Sequence, residues 1–403
     1  MKALWAMTEN ARIIGIGEAT HGTREFRELM LAMVRRAAQT DDPLAVALEL
    51  SFNEGLRLDA WARGTWYPPD PQLHTRTFAE VMAPHAPGLG ATVEFQELFT
   101  WIREHNTRVH PARVIRVHGI DVCLHPTCRD DLVAYFADVD PAAQARSLLA
   151  PLQHRLHELR GEPRLAAAAR TNLATLRTRL LANRDAYITK RGVEAHTTAL
   201  RLIWSSERRV DLALLDDAIS SSERDTVMAD SVTWIAEEQT EPTPRLLVLA
   251  HNEHLGRARS MLLSGQESAT RHMGELLAQR FAAEFVIVHT TFDQGHFLAQ
   301  QMRRPRPVLT AFPIGPAPAG TLEATLRNGD VPYTLDVRTA STGDGALARY
   351  LRTPQWLRFH GYAWRRIYAA VPLAWTKVAP AQEFDVLVYF PTTSATTPLA
   401  YPG

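Results

Sequence analysis

A carboxylate and an imidazole lie three residues apart near the start of the chain, at Glu18 and His21. They sit in a turn flanked by Gly17 and Gly22, between a buried-strand pattern over 12–17 and the beginning of a helical pattern. Side chains at the carboxyl end of a strand in an open α/β sheet project into the crevice that binds ligands. Glycines there allow a sharp turn and leave room for a ligand. This placement predicts a general-base pair in which the carboxylate orients the ring.

A second carboxylate, Glu49, ends a continuous apolar run over 43–50 that reads as a buried strand. A carboxylate at the end of such a run needs a partner or a task, because burying it unpaired is costly. It is therefore either half of a salt bridge to an arginine or a second acidic group of a catalytic site. Ser51, which follows, is a plausible N-cap for a helix over 52–62.

Two further strand patterns also end in histidine. The run over 245–250 leads into His251 and His254, and the run over 113–117 leads into His118. His251 and His254 could ligate a metal or hold a substrate oxygen, or one of them could cap the helix predicted over 253–263. Adjacent strand ends in a wound sheet meet at one cleft, so we expect these side chains to approach Glu18 and His21.

The remaining elements predict the frame that positions these residues. Apolar spacing indicates a helix over 23–39, and the segment 63–90, which contains Trp66, reads as a long binding loop with one short helix. Strand patterns vanish over 140–240, where helical patterns cover 142–159, 164–190, 193–220 and 223–238. The sequence thus predicts one domain over 1–403, built as an α/β fold with a mixed, largely parallel sheet flanked by helices. An all-helical insertion at 140–240 and a deep central cleft complete this prediction.

Composition narrows the class of protein. Lys+Arg and Asp+Glu are both 44, so the formal net charge of zero gives no general attraction to nucleic acid or to an anionic membrane. No window approaches a membrane span and the first residues lack a signal-peptide core, so we expect a cytoplasmic protein. The only two cysteines, Cys123 and Cys128, predict neither a zinc knuckle nor a disulfide framework, which favours a reducing compartment.

At these residues the sequence resembles the erythromycin esterase family. Gly17–Thr23 matches that family's Gly-Glu-Ala-Thr-His-Gly-Thr signature, Glu49 matches its second glutamate, and Ala250–His254 resembles its Ala-His-Asn-x-His block. Shorter matches follow in order along the chain: Trp101–Arg103 with Asn106, Gly119–Asp121, Arg224–Asp225 with Met228–Ala229, Met273–Gly274, and the last strand with Pro391–Thr393.

The resemblance implies a hydrolase of macrolide lactones that uses neither metal nor other cofactor, with His21 as the base that activates water. It implies that Glu18 and Glu49 orient that base or the water, and that His251 and His254 contact the substrate or the developing negative charge. We add Arg24, Trp66 and His118 as predicted substrate contacts. No Gly-x-Ser-x-Gly nucleophile elbow is present.

The chain departs from the family pattern at Met30, where the resemblance implies a basic residue in the first helix. Arg24, Arg27 and Arg116 are the candidates to replace that charge, whose loss would alter the acidic cluster. Ser231 stands where an asparagine is usual, and a tryptophan expected before the helix over 93–105 is absent. These differences favour a substrate other than erythromycin.

Four functions remain open on the sequence alone. The first is hydrolysis of an ester or lactone in a natural product, with a small molecule or a peptide as substrate. The second is a tailoring step, elimination or acyl transfer on a polyketide or peptide, in the same Glu/His cleft. The third is a metal-dependent hydrolase, since Glu18, His21, Glu49 and His251 are competent ligands. The fourth is a binding protein without catalysis.

Overall fold

A computed structural model describes residues 1–65, 67, 70–83, 88–124, 127–238, 243–260, 267–301, 308–361, 363–364 and 375–400. The strands are β1 (Ile13–Glu18), β2 (Leu44–Ser51), β3 (Arg116–Asp121), β4 (Arg245–His251), β5 (Phe285–Gln301), β6 (Val308–Ile314), β7 (Tyr333–Asp336), β8 (Gln355–Arg358), β9 (Ala363–Trp364), β10 (Trp375–Val378) and β11 (Val386–Thr393).

The α-helices lie before, between and after these strands along the chain. They are α1 (Lys2–Thr8), α2 (Arg24–Ala37), α3 (Phe52–Arg63), α4 (Phe78–Met82), α5 (Val93–Asn106), α6 (Thr127–Val139), α7 (Ala145–Leu148), α8 (Leu156–Gly161), α9 (Pro163–Ala182), α10 (Arg184–Ala213), α11 (Asp217–Glu238), α12 (Asn252–Leu255), α13 (Met273–Phe281), α14 (Leu322–Thr325), α15 (Val337–Ala340), α16 (Ala346–Leu351) and α17 (Pro380–Glu383).

The chain divides into two compact units. The first comprises residues 1–47, 76–116 and 233–403, and the second comprises 48–75 and 117–232. β2 passes from the first unit to the second after Ala47, and nearly all of β3 belongs to the second.

The first unit is built around β1. This strand pairs in parallel with β4 on one side and with β5 on the other, and β11 extends the parallel set on the far side of β5. β7 and β6 add antiparallel neighbours to β11 and β5, so the sheet is mixed but largely parallel. Every residue of β1 is buried, as its continuous apolar composition predicts for a strand covered on both faces.

The register of β1 against β4 sets the geometry of the predicted site. It pairs Glu18 with His251, the last residues of the two strands. Close packing at Gly17 secures this end, because a Cβ there would lie 2.2 Å from the Asn252 side-chain oxygen. Asn252 in turn donates a hydrogen bond to the Thr290 carbonyl at 2.8 Å, which ties β4 to β5. Asn252 therefore holds the ends of β4 and β5 together, and its side chain packs directly against Gly17.

The second unit is mainly helical. α6, α8, α9 and α10 pack on one another, and leucines of α9 and α10 such as Leu173, Leu176 and Leu202 are buried there. Among the described residues, no helix has both the length and the apolar character that a membrane crossing requires.

The structure corrects the predicted helices in this region. The single helix predicted over 142–159 is interrupted, because Gln144 adopts a left-handed conformation (φ 51°) and a 3-10 turn that contains Pro151 separates α7 from α8. The predicted break between 190 and 193 is confirmed, because Gly192, inside the range of α10, has non-helical backbone (φ 83°). A further break, between Ala182 at the end of α9 and Arg184 at the start of α10, was not predicted.

Two other predictions fail. The helix expected over 253–263 ends at Leu255, where Gly256 takes extended backbone. Cys123 and Cys128 form a disulfide, with their Cα atoms 5.9 Å apart. The prediction that these two cysteines make no disulfide framework was wrong, because their Cα atoms lie within the distance that a disulfide spans.

Candidate active site

His21 and Glu18 form a hydrogen-bonded pair in the first unit. The His21 Nδ1 lies 2.7 Å from Glu18 Oε1, and the Glu18 side chain is buried whereas one-fifth of the His21 side chain is exposed. With Nδ1–H donating to the carboxylate, the proton-free Nε2 is the nitrogen left to accept a proton. The pair thus has the arrangement of a general base with its orienting carboxylate.

Arg27 binds the same carboxylate from helix α2. Its Nη1 lies 3.1 Å from Glu18 Oε2, and its Nη2 donates to Glu18 Oε1 at 3.3 Å and to the His21 carbonyl at 2.8 Å. The guanidinium is buried and stacks over the Phe95 ring, 4.6 Å from its centroid. Of the three arginines considered as replacements for a cation at position 30, Arg27 is the one that contacts Glu18.

His251 packs against His21, with the two ring centroids 5.1 Å apart. Its Nδ1 accepts a hydrogen bond from the Glu253 backbone N–H at 3.3 Å, and its Nε2 donates to the His360 carbonyl at 3.2 Å. These two bonds require the neutral tautomer with the proton on Nε2. His251 therefore caps α12, as the capping alternative predicted, while its ring contacts the proposed base.

A small polar cavity lies on another side of His251. It has a volume of about 30 Å³, and its walls include His289, Glu383 and Arg358. This volume suffices for a water molecule but not for a macrolide. Burial lowers the pKa of His289 to about 3 and raises the pKa of Glu383 to about 8, so both side chains are neutral at pH 7.

Glu49 lies in the second unit, where it forms an ion pair with Arg224. Arg224 Nη2 lies 3.1 Å from Glu49 Oε1 and 2.7 Å from Asp121 Oδ2. Burial acts to lower the pKa of Arg224, but the Asp121 and Glu49 carboxylates outweigh it and raise that pKa. The salt-bridge alternative for Glu49 is thus realised, and it leaves this three-residue cluster with one net negative charge.

The other predicted substrate contacts are placed as follows. His254 is buried in α12, three residues after His251. Arg24, at the start of α2, is nearly half exposed and lies 3.4 Å from Glu94. His118 is buried in β3 of the second unit, and Trp66 lies outside the described residues. The structure therefore brings together Glu18, His21 and His251 and places Glu49 with Arg224.

Sequence reasoning did not single out Arg27 as the partner of Glu18, and it did not name Arg224 as the partner of Glu49. Arg27 was one of three candidates, and its spacing of three residues from Met30 puts both side chains on one helix face, a signal that could have singled it out. Arg224 is 175 residues from Glu49, and no local pattern indicates that pairing. Within the described part of the chain, no group of three or more His, Cys, Asp or Glu side chains is arranged to hold a metal ion.

The protein has an α/β fold with a Glu–His pair at the carboxyl end of its central strand, an arrangement suited to hydrolytic enzymes that use a general base. The sequence profile of the family described as erythromycin esterase matches residues 44–393, and the chain belongs to this family. Membership supports a hydrolase of the esterase type.

Three solved structures share the fold. A Bacillus cereus protein determined as a structural-genomics target is 17% identical, with a TM-score of 0.77 over 99% of this chain and 93% of its own. A succinoglycan biosynthesis protein is 17% identical, with a TM-score of 0.76 over 99% and 92%. A mutant of the erythromycin esterase EreC in its open conformation is 18% identical, with a TM-score of 0.68 over 97% and 93%.

Proposed function

We propose that this protein hydrolyses an ester or lactone of a natural product, with His21 as general base and Glu18 as its orienting carboxylate. The observation that carries the proposal is the 2.7 Å bond from His21 Nδ1 to a buried glutamate, which directs the remaining ring nitrogen to accept a proton. Family membership supports the ester as the bond that is cleaved.

The reaction would proceed in two steps at this pair. His21 Nε2 takes a proton from water while the water oxygen attacks the ester carbonyl carbon, giving a tetrahedral oxyanion. The bond from that carbon to the alkoxy oxygen then breaks, and the imidazolium returns its proton to the leaving oxygen. The products are an alcohol and a carboxylic acid, which then releases its proton to solvent, and the two groups are joined in one open chain when the substrate is a lactone. Glu18 stabilises the imidazolium that exists between the steps.

The remaining predicted residues keep proposed roles. We assign His251 to restraining the His21 ring through their contact, because both of its own nitrogens are engaged in this conformation. Arg24 and His254 are proposed substrate contacts in the first unit. Glu49 is proposed on the family resemblance, whereas His118 and Trp66 are proposed as further substrate contacts. Alanine variants of all three test these roles through KM and kcat separately.

Mass spectrometry of a substrate panel tests this function. The panel contains erythromycin, other macrolide lactones and simple p-nitrophenyl esters, incubated in H₂¹⁸O with and without a chelator. We expect one substrate to gain one water, with a single label in the new carboxylate and no loss of rate with the chelator. Loss of rate would favour the metal-dependent alternative, and a product without added water would favour a tailoring reaction.

The His21→Ala variant then tests the base. General-base catalysis contributes roughly 100- to 10,000-fold, so we expect kcat to fall by at least about 100-fold while thermal stability is kept. His157→Ala is the matched control, since His157 is an exposed residue of α8. Turnover by His21→Ala at the wild-type rate would refute the proposal. A pure binding protein would show ligand affinity without turnover in any variant.

A further inference from the structure

Arg27 contacts both the Glu18 carboxylate and the backbone of His21. Its two terminal nitrogens reach both carboxylate oxygens and the His21 carbonyl within 3.3 Å. The planar guanidinium matches this task, because it presents several donors in a fixed fork. Only about 6% of the residue is exposed, and the Phe95 ring covers one face. These contacts are made from α2, a different element from the strand and turn that carry the pair.

We propose that Arg27 is the positioning residue of the Glu18–His21 pair, setting both its geometry and the pH range over which His21 can accept a proton. The proposal rests on the proposed function for its catalytic consequence. Its structural part, that Arg27 controls the charge state of the pair, stands on the contacts alone.

Two physical effects follow from a buried cation at this position. First, it stabilises Glu18 as the carboxylate, so that the glutamate accepts the His21 Nδ1 proton and selects the reactive tautomer. Second, the guanidinium would repel the positive charge of an imidazolium that shares the same carboxylate. Removal of the cation should therefore extend the imidazolium form to higher pH.

Other charged groups near the Glu18–His21 pair form hydrogen bonds or ion pairs with other residues. Arg24 lies 3.4 Å from Glu94 of α5, and the Glu25 carboxylate accepts the Ser394 backbone N–H at 2.9 Å. From β4, His251 faces His21 as the neutral tautomer. Arg27 is the cation whose contacts with Glu18 the structure describes, and it reaches this carboxylate from α2.

Met30 offers a way to move the charge rather than delete it. Its sulfur lies 3.5 Å from Arg27 Nη1, one helical turn further along α2 and on the same face. A cation placed at position 30 in the Arg27→Met background should reach the same carboxylate. The double variant R27M/M30R therefore separates the need for a cation at Glu18 from the need for Arg27 itself.

The direct test follows the His21 ring by NMR as a function of pH, with its resonances identified by their absence from His21→Ala. We expect Arg27→Met to move the His21 titration midpoint up by about one pH unit. R27M/M30R should return at least half of that change. Arg36→Met is the matched control, since Arg36 lies in the last turn of the same helix, stacks on Trp5 and should leave the midpoint unchanged.

Kinetics supply the second readout, on erythromycin or on the panel ester with the highest turnover. For Arg27→Met we expect kcat to fall by up to roughly 100-fold with KM nearly unchanged, and the acidic limb of kcat/KM to move to higher pH. Arg27→Lys keeps the charge but loses the fork, so it should keep the midpoint and lose roughly 10-fold in kcat. Arg27→Lys also carries the test should Arg27→Met fail to fold.

An unchanged midpoint in folded Arg27→Met, with a loss of rate equal at every pH, would overturn the proposal and leave Arg27 a purely structural role. Wild-type kcat in Arg27→Lys would overturn the geometric part. Full turnover by His21→Ala would instead refute the proposed function, and the NMR titration would still decide what Arg27 does to the pair.

Discussion

Both carboxylates that the sequence singles out form an ion pair with an arginine. Glu18 pairs with Arg27 in the first unit and Glu49 pairs with Arg224 in the second. Each glutamate is buried or nearly so, and an unpaired carboxylate in such a place would be protonated instead of charged. The arginines therefore explain how acidic groups can remain ionised at the ends of apolar strands.

The Arg224 cluster gives a prediction about stability. Arg224→Met removes the cation that Asp121 and Glu49 share, and the side chains of these two carboxylates are only 2% and 10% exposed. Loss of one partner from a buried ion pair costs about 3 kcal/mol, and we expect that decrease in the free energy of unfolding by urea at pH 7. The exposed pair of Arg184 and Asp185 is the control, and Arg184→Met should cost under about 1 kcal/mol. Equal losses in the two variants would contradict this reading.

At the residue scale the sequence indicates the reactive groups but not their counter-charges. Glu18 and His21 are three residues apart, and a local pattern suffices to pair them. Glu49 and Arg224 meet only through the fold, so the salt bridge was foreseeable as a type of contact and not as a particular pair. The engagement of both His251 nitrogens was equally hidden, since one of its partners is the carbonyl of residue 360.

The turn between β1 and α2 is the element that presents His21. Its backbone is fixed on both sides, because the Gly22 carbonyl accepts hydrogen bonds from the Leu298 and Thr396 backbone N–H groups. A Cβ at Gly22 would lie 1.9 Å from the Leu298 carbonyl oxygen, which is backbone and cannot rotate away. Glycine is required here because the backbone at Gly22 lies close to the backbone at Leu298, and not because of an unusual dihedral angle.

We therefore expect Gly22→Ala to lower the free energy of unfolding by about 3 kcal/mol and to disturb the His21 ring. Gly161→Ala is the matched control: Gly161 ends α8, a Cβ there meets nothing within 4 Å, and stability should hardly change. Chemical denaturation measures both, and the His21 NMR signals report the local effect. A Gly22→Ala variant of wild-type stability would show that the turn can move away from Leu298.

Strands and helices were predictable from the sequence where the pattern of apolar residues agrees with their burial in the folded protein. β1, β2 and β4 are continuous apolar runs, and the structure places each within one or two residues of its predicted bounds. β5 reaches Gln301 because its later half pairs with β6, a contact that no local periodicity contains. The helical region was recognised as helical, but its breaks depend on the backbone of single residues such as Gln144.

At the scale of the whole molecule, buried neutral groups set the dependence of stability on pH. Burial raises the pKa of Glu383 to about 8 and that of Asp131 to about 7, so stability contributed by these acids is lost as the pH rises toward those values. Burial lowers the pKa of His289 and His360 to about 3, so stability contributed by these histidines is lost as the pH falls below about 6.5.

The two sets oppose each other between about pH 4.5 and 6.5, where unfolded acids release protons and unfolded histidines take them up. Above about 6.5 the histidines no longer titrate in either state, and the acids alone determine the slope. We therefore expect the free energy of unfolding to be nearly flat from about pH 5 to 6.5 and to fall from there to pH 8. Urea denaturation at a series of pH values measures this curve.

Glu383→Gln tests which group produces the alkaline slope. In the wild-type protein, Glu383 Oε2 accepts a hydrogen bond from the Ala258 backbone N–H at 2.8 Å. The glutamine side-chain oxygen can accept the same bond, but the amide has no acidic proton to lose. The free energy of unfolding of the variant should exceed that of wild type by roughly 4 kcal/mol at pH 8 and should match it near pH 4.5. Glu104→Gln, at an exposed position of α5, should leave the curve unchanged. A Glu383→Gln curve parallel to wild type at every pH would show that Glu383 ionises freely in the folded protein.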